Sequence, residues 1–159
     1  MIDAPVNDLT PHRLAVGQAV ERVRVVTSAD LEAFAAVSGD DNPLHLDETY
    51  AATTAFRGRV AHGMLLGAWI SAVIGTELPG PGAIYVSQSL SFRRAVRIGD
   101  QVVTRVEVML MDEAAGHAVL STRSLVKTKV MAEGEAVVRL PKPPRASRTE
   151  PSSADLGAA

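Results

Sequence analysis

Residues 62–78 read HGMLLGAWISAVIGTEL. If this stretch is helical, apolar side chains cover nearly its whole circumference, so the helix has no polar face and needs neighbours on several sides. Its longest apolar run, Met64 to Gly75, is shorter than the roughly 18 residues expected of a membrane span. The stretch therefore predicts a buried central helix from about 62 to 78.

The chain after this helix alternates between apolar and polar residues, which predicts strands that bury one face each. Turn signals separate these strands at Gly99-Asp100, Ala115-Gly116 and Glu133-Gly134. Such short links favour an antiparallel meander. The class is therefore α+β, with a curved antiparallel sheet wrapped around a long central apolar helix. The alternating apolar residues are Ile84, Val86, Leu90 and Phe92; Val102, Val106, Val108 and Leu110; Leu120 and Val126; and Ala136, Val138 and Leu140.

The residues before the central helix predict one strand and two short helices. A strand is expected around 21–26. Thr27 begins a Thr-x-x-acid capping signature, which predicts a helix over about 29–38 that ends at Gly39. Asp47 is expected to cap a second short helix, ETYAATTAF.

Between these helices lies the stretch SGDDNPLHLD, residues 38–47. Its Asp, Asn, Gly and Pro residues are typical of a solvated turn, and we expect a loop here. A turn does not require a histidine, however. Asp40 and His45 are the residue types that could share the two proton movements of an acid–base reaction.

Composition limits the possible functions. The 159 residues fit one domain, and 16 basic against 18 acidic residues give a net charge of −2. This balance offers no global field that would recruit nucleic acid or an anionic membrane. The chain has no cysteine, which excludes disulfides and thiolate metal sites, and the acidic, proline-containing start is unlike a secretory signal. These features favour a cytoplasmic protein without a nucleic-acid or membrane partner.

The motif Asp40-Asp41-Asn42-Pro43-Leu44-His45 matches the pattern Asp-x-Asn-Pro-x-His. With RGRVAHGMLLGAWISAVIG, LPGPGAIYVSQSLSFRRAVRIGD and GEAVVRLPKP, the chain resembles the MaoC-like (R)-specific enoyl-CoA hydratase family over roughly residues 15–142. The resemblance implies a single hot-dog domain, expected at 11–141. A flexible lead-in is expected at 1–10 and a disordered tail at 142–159. The chain especially resembles the short, single-hot-dog hydratases that supply (R)-3-hydroxyacyl-CoA for polyhydroxyalkanoate synthesis.

The resemblance also implies roles for individual residues. Asp40 and His45 would hold the water that adds to a trans-2-enoyl thioester, with the division of proton transfers left open. Gly63 would present its backbone N–H to the thioester oxygen. As substrate contacts we expect Asn42, which also shapes the loop, and His62, although packing beside the loop explains His62 better.

Two helix residues and four arginines complete the expected substrate contacts. Ser71 and Ile74 lie one helical turn apart and would line an acyl tunnel, although ordinary core packing explains them equally well. The arginines nearest the recognised segments would meet the phosphates of coenzyme A; they are Arg57, Arg59, Arg93 and Arg94. No metal is expected, and coenzyme A enters as the thioester substrate, so no cofactor is implied.

Several alternatives stay open at this point. A dehydratase with an acyl carrier protein as the handle would use the same residues. A hot-dog thioesterase is a different reaction class, and the Asp-x-Asn-Pro-x-His motif argues against it. A non-catalytic hot-dog subunit would be expected to have a damaged motif, whereas Asp40, Asn42, His45 and Gly63 are all present. The family implies a homodimer.

Overall fold

The computed structural model describes residues 14–140 of the chain. The lead-in and tail expected at 1–10 and 142–159 lie outside these residues. In chain order the elements are β1 Ala19–Val25, α1 Ser28–Ser38, α2 Pro43–Leu46, α3 Glu48–Ala52, α4 Gly63–Thr76, β2 Ile84–Gln88, β3 Ser91–Phe92, β4 Gln101–Asp112, β5 His117–Val126 and β6 Lys129–Arg139.

One antiparallel sheet forms the body of the molecule. Its strands run in the order β1-β4-β5-β6-β2, and β3 pairs with β6 beside β2. The central helix α4 lies against β4, β5 and β1. This is the hot-dog fold, so the expected curved sheet around a long apolar helix is confirmed.

The core lies between α4 and the sheet. Six of the helix's fourteen residues are buried: Leu65, Leu66, Trp69, Ile70, Val73 and Ile74. They face inward-pointing residues such as Val106 and Leu120, which are fully buried. Burying an aliphatic side chain of this size stabilises a fold by about 1.5–3 kcal/mol, so this one face of α4 fixes its position on the sheet.

The opposite face of α4 is exposed in a single chain, although the sequence predicts cover on several sides. Met64, Ala68, Ser71 and Gly75 form this stripe along the helix. The sheet curves around one side of α4 only, and residues four and three apart share a helix face. The expectation of burial around nearly the whole circumference is therefore wrong for one chain.

The predicted caps of α1 are present at both ends of the helix. Thr27 accepts a hydrogen bond from the Asp30 amide, and the Asp30 carboxylate accepts one from the Thr27 amide, which completes a capping box. Gly39 ends α1 with φ of 77°, a left-handed conformation that favours glycine. Thr27 and Gly39 therefore set the start and the end of α1, after which residues 40–47 follow.

The predicted loop at 38–47 contains a short helix, α2. Asn42 caps it, because its side chain accepts a hydrogen bond from the Leu44 amide, and Pro43 occupies the first helical position. Proline stops a helix that precedes it but fits the first turn of the next one, where its missing N–H is not needed. The prediction of an irregular loop is therefore wrong over Pro43–Leu46.

The predicted turn at Glu133-Gly134 is also wrong, because both residues lie inside β6. The chain instead turns at Lys127, which has a positive φ of 55°. Gly134 has a different reason to be glycine: a Cβ there would lie 1.8 Å from the Ser89 carbonyl oxygen. This close approach falls between β2 and β3, where the sequence predicts one continuous strand.

The alternation rule fails at two places in the sheet. Ile84, Val86 and Phe92 are about half exposed because β2 and β3 lie at the sheet edge in one chain. Leu110 is also exposed, since a register shift after Val108 moves it out of the buried row. A one-residue shift turns every later side chain to the other face of a strand.

Candidate active site

Asp40 lies directly after the end of α1, with an exposed side chain. Its backbone amide donates to the Ser38 hydroxyl at 3.2 Å. Its carboxylate accepts a long hydrogen bond of 3.3 Å from the Asn42 amide. The carboxylate is thus held at the mouth of the site by short-range contacts of its own segment.

His45 lies on α2, and its side chain is almost wholly buried. Its Nδ1 is 2.8 Å from the backbone carbonyl oxygen of Val60. A carbonyl oxygen can only accept, so Nδ1 carries the proton, and in the neutral ring Nε2 holds the free lone pair. The fold therefore presents His45 with one defined nitrogen available as a base.

His62 is the residue before α4 and is 2% exposed. Its Nε2 is 3.0 Å from the backbone carbonyl oxygen of Asp40, so Nε2 carries the proton in this ring. The ring stacks on His45, with centroids 3.8 Å apart and planes tilted by 31°. The two histidines are thus in contact, and they are held in opposite tautomers.

Asp40, His45 and His62 converge on one point. One side-chain oxygen of Asp40 and one ring nitrogen of each histidine all lie within 4.8 Å of one another. Two hydrogen bonds of about 2.8 Å to a single water span roughly 4.6 Å, so one water can bridge such a pair. The arrangement can hold a water between a carboxylate and an imidazole.

The same three side chains have the spacing of a metal site, which the sequence did not predict. Two of their ring nitrogens are already committed to backbone carbonyls, His45 Nδ1 to Val60 and His62 Nε2 to Asp40. Of the remaining two, Nδ1 of His62 is buried. Each ring thus has one N–H held by a carbonyl and one nitrogen with a lone pair, an arrangement that serves a general base as well as a metal ligand.

Gly63 is the first residue of α4. The first N–H groups of a helix have no acceptor within the helix, and the helix dipole makes that end electropositive. A Cβ on Gly63 would lie 3.1 Å from the ring of Phe92, so this side of the glycine is crowded. The Phe92 ring therefore occupies the space of the missing side chain, beside a backbone N–H that has no acceptor within α4.

A cavity of about 390 Å³ adjoins these groups. His45, His62 and Gly63 line the cavity, and the rest of its lining is mainly apolar. Among residues 14–140, two arginines lie in the lining, whereas no Asp or Glu does. The site therefore suits a ligand with an apolar body and an anionic portion. The remaining lining residues are Leu44, Phe56, Val60, Ala61, Leu66, Phe92, Arg93, Arg94, Ala95 and Val96.

The four expected arginines separate into two groups. Arg93 and Arg94 line the cavity. Arg93 pairs with Glu133 at 3.0 Å, and Arg94 donates to the Val130 carbonyl at 2.9 Å. Arg59 instead bonds the Ser28 hydroxyl at 2.7 Å, and Arg57 is outside the lining. Of the four arginines, Arg93 and Arg94 are therefore the two that lie at the cavity.

The other expected substrate contacts lie away from the cavity. Asn42 caps α2 with its side chain, which agrees with the expected shaping role. Ser71 is on the exposed stripe of α4, and Ile74 is fully buried against the sheet. Neither lines the cavity in a single chain, so the acyl-tunnel role of these two residues stays a prediction.

Sequence inspection missed two contributors to the site. Val60 acts through its backbone carbonyl, and a backbone group leaves no signal in residue type. Phe92 was assigned to a strand, yet its ring covers Gly63. The position of its strand next to the start of α4 is a tertiary feature that alternation does not encode.

Comparison with known proteins identifies the family of the chain. The family model described as "MaoC like domain" matches residues 13–130. The (R)-specific enoyl-CoA hydratase of Rhodospirillum rubrum is 47% identical over 125 residues, which cover 79% of this chain and 87% of the relative.

Two further proteins extend the comparison. A solved (R)-hydratase from Aeromonas caviae, described as involved in PHA biosynthesis, has a TM-score of 0.79 and 46% identity, and the match covers 81% of this chain and 98% of that one. A mitochondrial 3-hydroxyacyl-(acyl-carrier-protein) dehydratase of Arabidopsis thaliana is 38% identical over 132 residues, covering 80% of this chain and 78% of the relative.

The match over residues 13–130 and relatives at this level of identity lead to one conclusion. The chain belongs to the MaoC-like domain family.

Proposed function

We propose that this protein is an (R)-specific enoyl-CoA hydratase, which adds water reversibly to trans-2-enoyl-CoA to give (R)-3-hydroxyacyl-CoA. The observation that carries the proposal is the convergence of Asp40 and His45 within 4.8 Å beside a largely apolar cavity. The relatives named (R)-specific enoyl-CoA hydratase support it.

The acid–base step uses the two groups around one water. The water donates hydrogen bonds to the Asp40 carboxylate and to Nε2 of His45, whose Nδ1 is kept protonated by the Val60 carbonyl. As the water oxygen bonds to C3 of the enoyl thioester, the pair accepts one proton from the water and delivers one to C2. Atoms balance without an oxidant or reductant, so the proposal includes no cofactor.

The thioester oxygen gains negative charge when C3 is attacked. The proposal assigns its stabilisation to the N–H of Gly63 at the electropositive end of α4. Donors that are fixed before the reaction need no reorganisation when charge develops. The glycine is therefore a backbone catalyst in this account, and its missing side chain leaves room for the ring of Phe92 beside the start of α4.

Coenzyme A is the proposed handle, and Arg93 and Arg94 are its proposed phosphate contacts. Both line a cavity whose lining, as far as residues 14–140 form it, has no acidic residue. The acyl-carrier-protein dehydratase among the relatives makes the carrier-protein handle the alternative. Turnover of the same acyl chain on both handles separates the two, and we expect the higher kcat/KM with the coenzyme A thioester.

A cytoplasmic location is part of the proposal, and a sequence without cysteine is compatible with it.

A homodimer is the proposed unit. The edge strand β2 exposes Ile84 and Val86, 50% and 56% respectively, and an unpaired apolar edge invites pairing with a second copy. Val86→Lys should therefore reduce the mass measured by light scattering from the mass of two chains toward the mass of one chain. Val37→Lys, at an exposed apolar position of α1, is the matched control and should leave the mass unchanged.

The function is tested by hydration of trans-2-enoyl-CoA with paired variants. We expect Asp40→Asn to lower kcat by about 10²-fold or more, because it removes a base in contact with the water. Asp41→Asn changes the same charge one residue along, at a position outside the convergent group, and should stay close to wild type. Equal losses in both variants would contradict the assignment of Asp40.

A metal-free reaction is part of the proposal and can be checked directly. Dialysis against EDTA should leave the rate unchanged, because the groups proposed to move protons are side chains of the protein. A loss that added Zn²⁺ restores would instead make Asp40, His45 and His62 metal ligands.

A further inference from the structure

His62 contacts both members of the proposed acid–base pair. Its Nε2 donates to the Asp40 carbonyl at 3.0 Å, and its ring stacks on His45 at 3.8 Å between centroids. A third contact, with the ring of Phe34 at 4.9 Å, supports another side of the imidazole. The side chain thus links the end of α1, α2 and the start of α4.

Asp40 depends on this link for its position. Its other hydrogen bonds, with Ser38 and Asn42, reach only two residues along the chain, at 3.2 and 3.3 Å. The bond from His62 spans 22 residues. Within residues 14–140 it is the hydrogen bond that ties Asp40 to the helix carrying Gly63. The exposed carboxylate would otherwise be held only by contacts within its own segment.

A space-filling role explains His62 less well. Its Nδ1 is buried and has no hydrogen-bond partner within residues 14–140. Burying an unsatisfied polar atom costs free energy, and an apolar ring of similar shape would avoid that cost. The donor at Nε2 is the feature that phenylalanine lacks, so the hydrogen bond to Asp40 is the physical reason for histidine here.

We infer that His62 is a positioning residue: it fixes Asp40 through its Nε2–H and His45 through ring stacking, so that both groups reach one water. This inference rests on the proposed hydratase function. It differs from a substrate-contact role for His62, because it acts on the rate of the chemical step through two other residues.

Two variants separate the donor from the ring. Gln places an N–H close to the position of Nε2, so His62→Gln keeps the bond to Asp40 without the ring. His62→Phe keeps a ring against His45 but removes the donor. We expect kcat to fall roughly 10²-fold in His62→Phe, as for a misplaced catalytic group, and to recover to within about tenfold of wild type in His62→Gln.

KM distinguishes positioning from substrate contact. Positioning predicts a loss in kcat with KM nearly unchanged. A rise in KM with unchanged kcat in both variants would overturn the inference, and so would equal losses of kcat in the two. His117→Gln replaces a histidine at the start of β5 and is the matched control; it should leave both kcat and KM unchanged. Thermal unfolding of each variant identifies any general loss of fold.

NMR tests the same inference without turnover. With the ring nitrogens labelled with ¹⁵N, we expect the neutral Nε2–H tautomer at His62 and the Nδ1–H tautomer at His45. The Asp41 amide, which shares its peptide bond with the Asp40 carbonyl, should shift in His62→Phe and stay near its wild-type position in His62→Gln. The opposite tautomer at His62, or an unmoved Asp41 amide, would overturn the inference. An inactive wild type with these NMR results would contradict the hydratase function alone.

Discussion

Gly63 allows the oxyanion assignment to be tested by removing one backbone N–H. Proline at the first position of a helix does not disturb the helix, because no intrahelical bond uses that N–H. The residue before a proline must be extended, and His62 already has φ of −56° and ψ of 134°. Gly63→Pro should therefore delete the donor while α4 keeps its start.

The added ring atoms of proline need their own control. A Cβ at residue 63 lies 3.1 Å from Cε1 and 3.2 Å from Cδ1 of Phe92, so the half-exposed ring must move by a few tenths of an ångström. Gly63→Ala adds this same Cβ and keeps the N–H. Gly67→Ala, one turn later, meets the flexible ends of Leu90 and Met64 at 3.1 and 3.2 Å, and controls for crowding along α4.

The expected difference between Gly63→Pro and Gly63→Ala is the value of one oxyanion donor. Loss of such a donor costs about 10²–10³ in kcat, which is about 2.7–4 kcal/mol of barrier. Steady-state hydration of trans-2-enoyl-CoA measures it, with thermal unfolding of all three variants as the check on folding. The reasoning is refuted if Gly63→Pro and Gly63→Ala have kcat values within a few-fold of each other while both remain folded.

Three further predictions concern the fold. Gly134→Ala should lower the free energy of unfolding by about 3 kcal/mol or more in urea titration, because its Cβ would lie 1.8 Å from the backbone oxygen of Ser89. Gly75→Ala has open space around the added Cβ and should raise the free energy of unfolding by about 0.5–1 kcal/mol. The opposite order of the two variants would contradict both assignments. Thr27→Ala removes the side-chain cap of α1 and should cost about 1 kcal/mol in the same titration, so an unchanged midpoint would mean that the cap contributes nothing. Burial raises the pKa of Tyr85 to about 12. Because the phenol of the unfolded chain ionises near pH 10, the contribution of Tyr85 to stability is present below pH 10 and is lost as the pH rises toward 12. Tyr85→Phe should therefore reduce the loss of stability over this pH range in alkaline unfolding curves.

Signals within the sequence were sufficient wherever the physical cause is local. The capping box at Thr27, the left-handed Gly39 and the Asp47 cap of α3 each depend on residues within one turn, and all are present. The apolar stretch at 62–78 also predicted α4 to within two residues at each end. Its strength comes from twelve or more residues that agree with one another.

Features that depend on residues distant in the chain could not be predicted. Gly134 has the sequence of a turn, but its reason for being glycine is the Ser89 carbonyl, 45 residues earlier. Leu110 continues the apolar alternation, yet a register shift exposes it. Both depend on how neighbouring strands meet, which alternation within one strand does not determine.

The candidate site divides along the same line. The resemblance of the motif at 40–45 to Asp-x-Asn-Pro-x-His predicted roles for Asp40 and His45, and the structure brings these two side chains together. The hydrogen bond from His62 to Asp40 joins two segments of the fold, so residue type and spacing could not distinguish a positioning role of His62 from a space-filling one. The Val60 carbonyl, which selects the His45 tautomer, is likewise visible only in three dimensions.

The measurement that tests the central claim most directly is chiral chromatography of the product that the wild-type protein forms from trans-2-enoyl-CoA. Chains of four, eight and twelve carbons should be offered, because the cavity alone does not define the preferred length. The account predicts (R)-3-hydroxyacyl-CoA from at least one of them, as the only enantiomer above background. Formation of the (S) product, or no hydration of any chain by a folded protein, would contradict it.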